Sequence, residues 1–365
     1  MKNILIVHHT DNDGHMAAAI CMKWVKEKAE TDGYEVDIDH VDADYKDTLE
    51  EICNPFIKKR KYDELYVVDV SITKKENAVF LTNLLKNDIG VIYIDHHMST
   101  IKFLNDNPEI KKSLEGIVAT GLSASMICWT LYKYSTINTT IPCTIRQGKT
   151  YKTINEVMTA IMEVCGTDVK LGRDHVESLW LHSDVPIGLQ FVDAYDIWDK
   201  NTVLGWESVL EFAVNNLSVE DCEQLLMDET GAMYTDLLER GAIVKQYEDN
   251  HNELLCKQFG YEATVIYNGV KLSVFCLNNP ISSSNTFGSR IEKYDILCAY
   301  YFNGKNWTHS FYSIKHDCSV LCKMLGGGGH PGASGFQLGC PLLFPGDEYN
   351  FDENGGKITN ELFKH

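Results

Sequence analysis

Short β-branched runs alternate with helical segments in the first half of the chain. The runs Ile4–Val7, Leu65–Val70 and Gly90–Ile94 predict strands, and Met16–Lys28 and Lys74–Leu85 predict helices between them. This alternation is typical of a parallel sheet with helices on both faces. We therefore expect the first half to fold as an α/β domain.

Each of the three predicted strands has acidic residues at or just after its C-terminal end. Asp11 and Asp13 come after the first strand, Asp69 lies at the end of the second within "VVDV", and Asp95 ends the third within "YIDHH". Ligands of open α/β sheets bind just outside the carboxyl ends of the strands, so these side chains are expected to share one crevice. An isolated D-x-D such as Asp42 and Asp44 is, by contrast, typical of a turn or helix cap.

The residue types in this crevice indicate a metal site. A carboxylate on a buried strand, as predicted for Asp69, is costly unless it is ligated or protonated. His96 and His97 supply adjacent imidazoles, and Asp95 beside them can fix a tautomer. Mixed imidazole and carboxylate ligands suit Mn²⁺ better than Mg²⁺. We therefore expect Mn²⁺ at this site, with Mg²⁺ or Co²⁺ as substitutes.

Five motifs together resemble a known family. In chain order, "HHTDNDG", "VVDV", "IDHH" and "YDIWDK" resemble the four motifs of the DHH phosphoesterase superfamily. The later "GGGGHPGASGF" resembles the glycine-histidine motif of its associated C-terminal domain. The resemblance runs from Leu5 to about Phe336, and relatives include RecJ-like exonucleases and nanoRNases. It implies a two-metal phosphoesterase.

The resemblance also implies roles for individual residues. Asp69 would bridge both metals, and Asp69, His96 and His97 would be the catalytic residues, with His97 on the phosphate. The metal ligands it implies are His9, Asp11, Asp13, Asp69, His96 and Asp196. The choice between His8 and His9 stays open, as does the choice of Asp196 over Asp193 and Asp199.

The motif near the C-terminus predicts substrate binding. Its glycines allow the backbone to approach an anion, so Gly328, Gly329 and His330 are the expected substrate contacts. Upstream, Ser313 and Lys315 stand where relatives carry substrate-binding residues. Arg290 is a further candidate for pairing with phosphate.

The length of 365 residues favours two domains over one. We predict a parallel-sheet DHH domain with flanking helices over residues 1–205 and a helical connector over 206–257. A smaller mixed α/β substrate-binding domain is expected over 258–340, followed by an extension over 341–365. Homodimers are common among relatives, so a homodimer is one expected assembly.

Charge and hydropathy limit the partners and the compartment. The net charge of -19 argues against long duplex nucleic acid as a partner. The longest apolar runs are too short to span a membrane, and scattered cysteines in apolar runs fit a reduced cytoplasm. Cys318 and Cys322 could meet on one helix face, but a structural zinc site there is the less favoured interpretation.

The leading functional hypothesis is a phosphodiesterase that hydrolyses short oligonucleotides or dinucleotides to mononucleotides. The alternatives are a phosphatase or phosphodiesterase acting on adenosine bisphosphate or cyclic dinucleotides, a single-strand exonuclease, and a non-catalytic nucleotide sensor. The intact acidic motifs count against the sensor.

Overall fold

The computed structural model describes residues 1–44, 46–136, 185–343, 345–346, 348–351 and 357–358. The chain forms two compact units, Met1–Ala242 and Ile243–His365. The division falls inside the predicted connector 206–257. Much of the predicted extension 341–365 lies outside the described residues. Within the described residues, every helix is either too short or too polar to span a bilayer.

The first unit contains a five-stranded sheet in which every pairing is parallel, with the order β2-β1-β3-β4-β5. Its strands are β1 Lys2–His9, β2 Val36–Ala43, β3 Glu64–Val68, β4 Gly90–Asp95 and β5 Glu115–Val118. Together with the mixed sheet of the second unit, this arrangement confirms the predicted fold class.

Helices cover both faces of this sheet, because alternate strand residues point to opposite sides. Ile4 and Ile6 of β1 join one apolar cluster, and Leu5 and Val7 join the other. The helices of the unit are α1 Asn12–Asp32, α2 Leu49–Ile57, α3 Lys75–Lys86, α4 Met98–Asp106, α5 Pro108–Ser113, α6 Ala124–Thr136, α7 Ile187–Asp196, α8 Trp206–Ala213 and α9 Val219–Met227. The helix α10, Ala232–Phe259, contains the division between the units.

The edge strand β2 was not expected from the sequence. Its sequence "VDIDHVDA" alternates apolar and polar residues, and the polar positions are typical of a charged sheet edge that resists further pairing. Asp42 therefore lies within a strand, and the interpretation of Asp42 as a turn residue is wrong. Asp44 lies just past the end of β2, and its carboxylate accepts from the Lys46 amide at 2.8 Å.

The second unit is built on a mixed sheet in the order β10-β11-β9-β8-β7-β6-β12-β13. Its strands are β6 Tyr261–Tyr267, β7 Val270–Asn278, β8 Ile296–Phe302, β9 Trp307–Tyr312, β10 Gly328–His330, β11 Ala333–Leu338, β12 Glu348–Phe351 and β13 Lys357–Ile358. Short helices α11, Arg290–Lys293, and α12, Cys318–Met324, and a 3₁₀ turn at Ser284–Phe287 complete the described part.

The glycine run forms a tight hairpin instead of an open loop. Gly328 pairs with Gly335, and Gly329 pairs with Ser334, between antiparallel β10 and β11. A Cβ atom at Gly327 would come within 2.0 Å of the Gly335 carbonyl oxygen. Close backbone packing, which glycine alone permits, explains the composition of this segment.

Candidate metal centre

Three parallel strands deliver polar side chains to the same edge of the first sheet. His9 is the last residue of β1, Asp69 follows β3 directly, and Asp95 ends β4. Asp69 has a φ of 58°, in the left-handed region that few non-glycine residues occupy. Its amide still donates to the Ile94 carbonyl at 2.9 Å, which holds the turn against β4. Such backbone strain is concentrated at functional sites.

One group of potential metal ligands consists of His9, Asp11 and Asp69. Each offers one donor atom, and these atoms lie within 4.8 Å of one another. Asp11 caps α1 by accepting from the Gly14 amide through Oδ1 at 2.9 Å, while its Oδ2 lies 2.7 Å from His9 Nδ1. The Oδ2 atom of Asp69 is 3.8 Å from the same His9 nitrogen.

A second group consists of Asp13, His96 and Asp196. His96 Nε2 lies 3.4 Å from Asp196 Oδ2 and 3.9 Å from Asp13 Oδ2. The same nitrogen is 3.3 Å from Oδ1 of Asp69. The two carboxylate oxygens of Asp69 therefore face different groups, Oδ2 toward His9 and Oδ1 toward His96.

His97 is oriented by a completely buried carboxylate. Asp95 Oδ1 accepts from His97 Nδ1 at 2.6 Å and from the His96 amide at 2.8 Å. Its Oδ2 accepts from the Tyr93 hydroxyl at 3.0 Å. This pairing fixes the proton on His97 Nδ1. The same nitrogen lies 3.8 Å from Oδ1 of Asp69.

Burial and crowded charge shift the pKa values in this centre. Burial, and then repulsion from Asp13 and Asp11, raises the pKa of Asp69 well above its ordinary value. The same two causes raise the pKa of Asp196. Burial lowers the pKa of His96. These shifts describe carboxylates that repel one another, and an imidazole whose charged form is disfavoured by burial.

Burial opposes the ionised forms of Asp95 and His97 as well, but their mutual pairing outweighs it. Burial alone would raise the pKa of Asp95, and the hydrogen bond and charge of His97 lower it instead. Burial alone would lower the pKa of His97, and the hydrogen bond and charge of Asp95 raise it. The pair therefore favours a charged imidazole beside a charged carboxylate.

The residues of the centre fit divalent cations. Both oxygens of Asp69 and Oδ2 of Asp196 are buried and accept no hydrogen bond from the part of the chain that the structure describes. Buried carboxylate oxygens are normally hydrogen-bonded or ligated. Imidazole nitrogens and carboxylate oxygens in this combination are ligands for first-row transition metals.

The alternatives left open by the sequence occupy different surroundings. His8 is completely buried and belongs to a separate group with His15 and Asp42. Asp193 Oδ1 accepts from the Ser123 amide at 2.8 Å, at the start of α6. Asp199 lies past the end of α7, where its Oδ1 accepts from the Asn201 amide at 3.3 Å. Only His9 and Asp196 among these five candidates join groups that include Asp69 or His96, within the described residues.

The substrate residues predicted from the second half lie in the second unit. Gly328, Gly329 and His330 form β10. The Ser313 hydroxyl donates to the Asp295 carbonyl at 2.7 Å, and Lys315 Nζ donates to the Lys293 carbonyl at 3.3 Å. Arg290 is already paired with Glu253 through both terminal nitrogens, so its guanidinium is not presented for phosphate in this structure.

Sequence reasoning missed the support for Asp13. The Ala124 amide donates to its Oδ2 at 2.8 Å, and the Ser125 amide donates to its Oδ1 at 3.0 Å, so the start of α6 holds this carboxylate. Amides at a helix N-terminus stabilise negative charge. The available signal was "GLSASM", a polar cluster of small residues that precedes an apolar helical pattern.

The fold and the site together define an α/β protein with an acidic, imidazole-rich centre at the carboxyl edge of a parallel sheet. The family model for the DHH family, N-terminal domain, matches residues 3–161. This match over the first part of the chain confirms the resemblance expected from the motifs. No curated protein matches the chain in sequence.

Solved structures share the fold at low sequence identity. The DHH domain of a member of a family of ribosomal proteins is 13% identical, with a TM-score of 0.55. That match covers 92% of this chain and 83% of the other. RecJ in complex with Mn²⁺ from Thermus thermophilus is 16% identical, with a TM-score of 0.50, and the match covers 96% of this chain and 54% of RecJ. These likenesses show the fold.

Proposed function

We propose that this protein is a metal-dependent phosphodiesterase that hydrolyses short oligonucleotides or dinucleotides to mononucleotides. The metal ligands we assign are His9, Asp11, Asp13, Asp69, His96 and Asp196. Two Mn²⁺ ions fit the mixed donor set, with Mg²⁺ or Co²⁺ as substitutes. The Mn²⁺ in the RecJ structure supports a divalent cation at this centre.

The position of Asp69 carries the proposal. Its Oδ2 faces His9 and its Oδ1 faces His96, at 3.8 and 3.3 Å, while neither oxygen accepts a hydrogen bond from the described residues. A single carboxylate between two ligand groups could contribute one oxygen to a cation held by each group. Bound cations would activate a water molecule and stabilise the attacking and leaving oxygens of an in-line displacement at phosphorus.

The residues of the chain would bind and orient the phosphate. The Asp95 carboxylate accepts a hydrogen bond from His97 Nδ1, with 2.6 Å between Oδ1 and Nδ1, so His97 can present the other edge of its ring to a phosphate oxygen. The pairing with Asp95 favours a protonated ring, which would donate a charge-assisted hydrogen bond. We also assign substrate binding to Gly328, Gly329 and His330, on the resemblance of their motif.

Trp198 supports a nucleotide as the substrate. It lies two residues after Asp196, has a φ of 56° and exposes 43% of its surface. Trp206 packs against it with ring centroids 5.9 Å apart, and Lys200 Nζ lies 5.6 Å from its ring centroid. An exposed indole next to a metal ligand can stack on a base, whereas a substrate such as pyrophosphate has no base to stack.

A substrate panel with Mn²⁺, and separately with EDTA, tests the proposal. It contains a linear dinucleotide, a five-nucleotide RNA, a long single strand, adenosine bisphosphate, cyclic dinucleotides and pyrophosphate, with products separated by chromatography. Asp69→Asn is the inactive control, and Asp88→Asn is its match, because Asp88 is exposed and also has a positive φ, 59°. We expect Mn²⁺-dependent release of mononucleotides from the two short oligomers.

The other results of this panel assign other functions. Processive degradation of the long strand would indicate a single-strand exonuclease. Preference for adenosine bisphosphate or a cyclic dinucleotide would replace the substrate and leave the metal centre in place. Tight binding of one compound without any turnover would overturn the proposal in favour of a nucleotide sensor.

A further inference from the structure

The backbone that carries Asp69 leaves the sheet just beyond its last paired residue. The ladder between β3 and β4 ends at Val68, which pairs with Ile94, and the Asp69 amide makes one further bond, to the Ile94 carbonyl at 2.9 Å. Asp69 then turns away with a φ of 58°. Strained backbone of this kind persists only where the surrounding structure holds it. We therefore expect contacts beyond the ladder to help fix this turn.

The residues that follow the turn contact the first turn of α4. The Ile72 amide donates to the Thr100 hydroxyl oxygen at 2.9 Å. The Ser71 hydroxyl oxygen lies 3.1 Å from that of Thr100 and 2.7 Å from that of Ser99. Ile72 and Thr100 are completely buried, and Ser71 is nearly so. Three hydroxyl groups thus connect the segment after Asp69 to α4.

Thr100 also lies close in sequence to the histidines of the centre. Its amide donates to the His97 carbonyl at 3.1 Å at the start of α4, and His96 is the residue before His97. His96 Nε2 lies 3.3 Å from Oδ1 of Asp69. A single side chain of α4 therefore joins the segment after Asp69 to the segment that carries His96 and His97.

The hydroxyl of Thr100, more than its shape, makes this connection. Valine at this position would fill nearly the same space, but the buried Ile72 amide would lose its acceptor at position 100. A buried amide that loses its acceptor is costly, so the segment would be expected to shift toward another acceptor or water. Because Asp69 lies only three residues before Ile72, such a shift would move its carboxylate relative to His96.

We propose that Thr100 is a positioning residue of the metal centre, whose hydroxyl fixes the segment after Asp69 and so holds Asp69 against His96. The proposal rests on the assignment of these two residues as metal ligands in the proposed function. Thr100 acts through the backbone of Ile72 and not as a ligand. The alternative is a hydroxyl that satisfies a buried amide and contributes only to the stability of the fold.

Calorimetric titration of Mn²⁺ separates the two roles. Thr100→Val removes the hydroxyl and keeps the shape, whereas Thr100→Ser keeps the hydroxyl. We expect Thr100→Val to weaken Mn²⁺ binding about 10-fold, as the loss of an orienting hydrogen bond around a metal ligand does. Thr100→Ser should restore the affinity of the parent protein.

Thr130→Val is the matched control. Thr130 is buried in α6, and its hydroxyl donates to the Met126 carbonyl of the same helix at 2.7 Å. The substitution makes the same chemical change at a hydroxyl whose bond lies within one helix. It should leave the Mn²⁺ affinity unchanged, whatever its effect on the free energy of unfolding.

Hydrogen exchange tests the contact in the metal-free protein. The Ile72 amide should exchange faster in Thr100→Val than in the parent protein or in Thr100→Ser, because its acceptor at position 100 is lost. Ser71→Ala is the second variant, for the case that Thr100→Val does not fold. It removes the neighbouring hydroxyl and keeps the bond between Ile72 and Thr100, so it should weaken Mn²⁺ binding by a smaller factor. In that case, an unchanged Mn²⁺ affinity of Ser71→Ala would overturn the proposal.

Equal Mn²⁺ affinities in Thr100→Val and Thr130→Val would overturn the positioning role and leave Thr100 as a structural residue. A loss in Thr100→Ser as large as that in Thr100→Val would also overturn it, because the hydroxyl would then not be the group that matters. The substrate panel is evaluated separately. A parent protein that binds Mn²⁺ but hydrolyses no substrate would overturn only the proposed activity, whereas a parent protein that binds no Mn²⁺ would overturn both proposals.

Discussion

His96 Nε2 lies 3.3 Å from Oδ1 of Asp69, a carboxylate that is almost completely buried. The two side chains come from the ends of β4 and β3, which pair in register from Glu64 with Gly90 to Val68 with Ile94. The register of the sheet therefore determines that these two groups meet. A cation between them would offset the free-energy cost of burying the charge of Asp69. In the metal-free protein, that cost lowers the stability of the fold.

Asp69→Asn should stabilise the metal-free protein. Burial, and then repulsion from Asp13 and Asp11, raises the pKa of Asp69. At pH values between the unfolded and the folded pKa, the native state therefore holds a proton on Asp69 that the unfolded state has lost. The stability that this proton provides is complete below the unfolded pKa and is lost as the pH rises through the folded pKa. Asparagine is neutral throughout and tolerates a positive φ. We expect a gain of about 1–3 kcal/mol in the free energy of unfolding at neutral pH.

Denaturant unfolding in EDTA, at acidic and neutral pH, measures this effect. The gain should shrink as the pH falls, because Asp69 itself becomes protonated. Asp88→Asn makes the same chemical change at an exposed residue with a φ of 59° and should leave stability within about 0.5 kcal/mol. An equal gain in both variants would contradict the role of buried charge.

Asp95→Asn should impair the centre without unfolding the protein. Asp95 accepts from His97 Nδ1 at 2.6 Å, so its charge sets the tautomer and the protonation of that ring. Loss of such an orienting carboxylate costs about 10–100-fold in activity or metal affinity. An NMR titration of the His97 ring should show a lower pKa than in the parent protein.

Tyr93→Phe is the matched control for Asp95→Asn. The Tyr93 hydroxyl donates to the other oxygen of the same carboxylate, Oδ2, at 3.0 Å, and leaves the pairing with His97 in place. Its effect on turnover and on the His97 titration should be smaller. Equal losses in the two variants would indicate that only the packing around Asp95 matters.

The sequence was sufficient to predict the parallel sheet and the convergence of its acidic strand ends. Those features follow from local patterns: β-branched runs with acids after them, in chain order. Which of His8 and His9 reaches Asp69 could not be read in this way, because the choice depends on which face of β1 each residue occupies at its very end.

Contacts between residues that are far apart in the chain could not be predicted from the sequence either. The amides of Ala124 and Ser125 hold Asp13 across more than a hundred residues of chain, and no local pattern specifies that contact. The edge strand β2 was missed because its aspartates are typical of turns when they are considered alone. Its pairing with β1 supplies the strand conformation that local propensity does not.

Trp198→Ala should weaken binding of nucleotide substrates. Base-aromatic stacking is worth about 1–3 kcal/mol per base, which corresponds to a KM increase of roughly 5- to 150-fold for a dinucleotide, with a smaller change in kcat. Trp198→Phe keeps an aromatic face and should restore most of the affinity. Val203→Ala, at an almost fully exposed residue of the same loop, is the control. Equal KM values for Trp198→Ala and Val203→Ala would contradict stacking.

Metal affinity should rise with pH, and the direction follows from the shifted groups of the centre. Asp69 and Asp196 have raised pKa values, through burial and the repulsion of neighbouring carboxylates, so they retain protons in the metal-free protein to a higher pH than ordinary aspartates. Ligands must lose these protons before they bind a cation, so binding releases protons and strengthens as the pH rises.

Calorimetric titration of Mn²⁺ from pH 5 to pH 8, in two buffers of different ionisation enthalpy, measures both the affinity and the number of protons released. We expect proton release to be largest at the acidic end and to decline as Asp69 and Asp196 ionise. Asp69→Asn removes one of the two titrating groups and should reduce the release, while Asp88→Asn should not change it. An Mn²⁺ affinity that does not change with pH would show that these carboxylates are already ionised in the metal-free protein. That result would contradict the raised pKa values of Asp69 and Asp196.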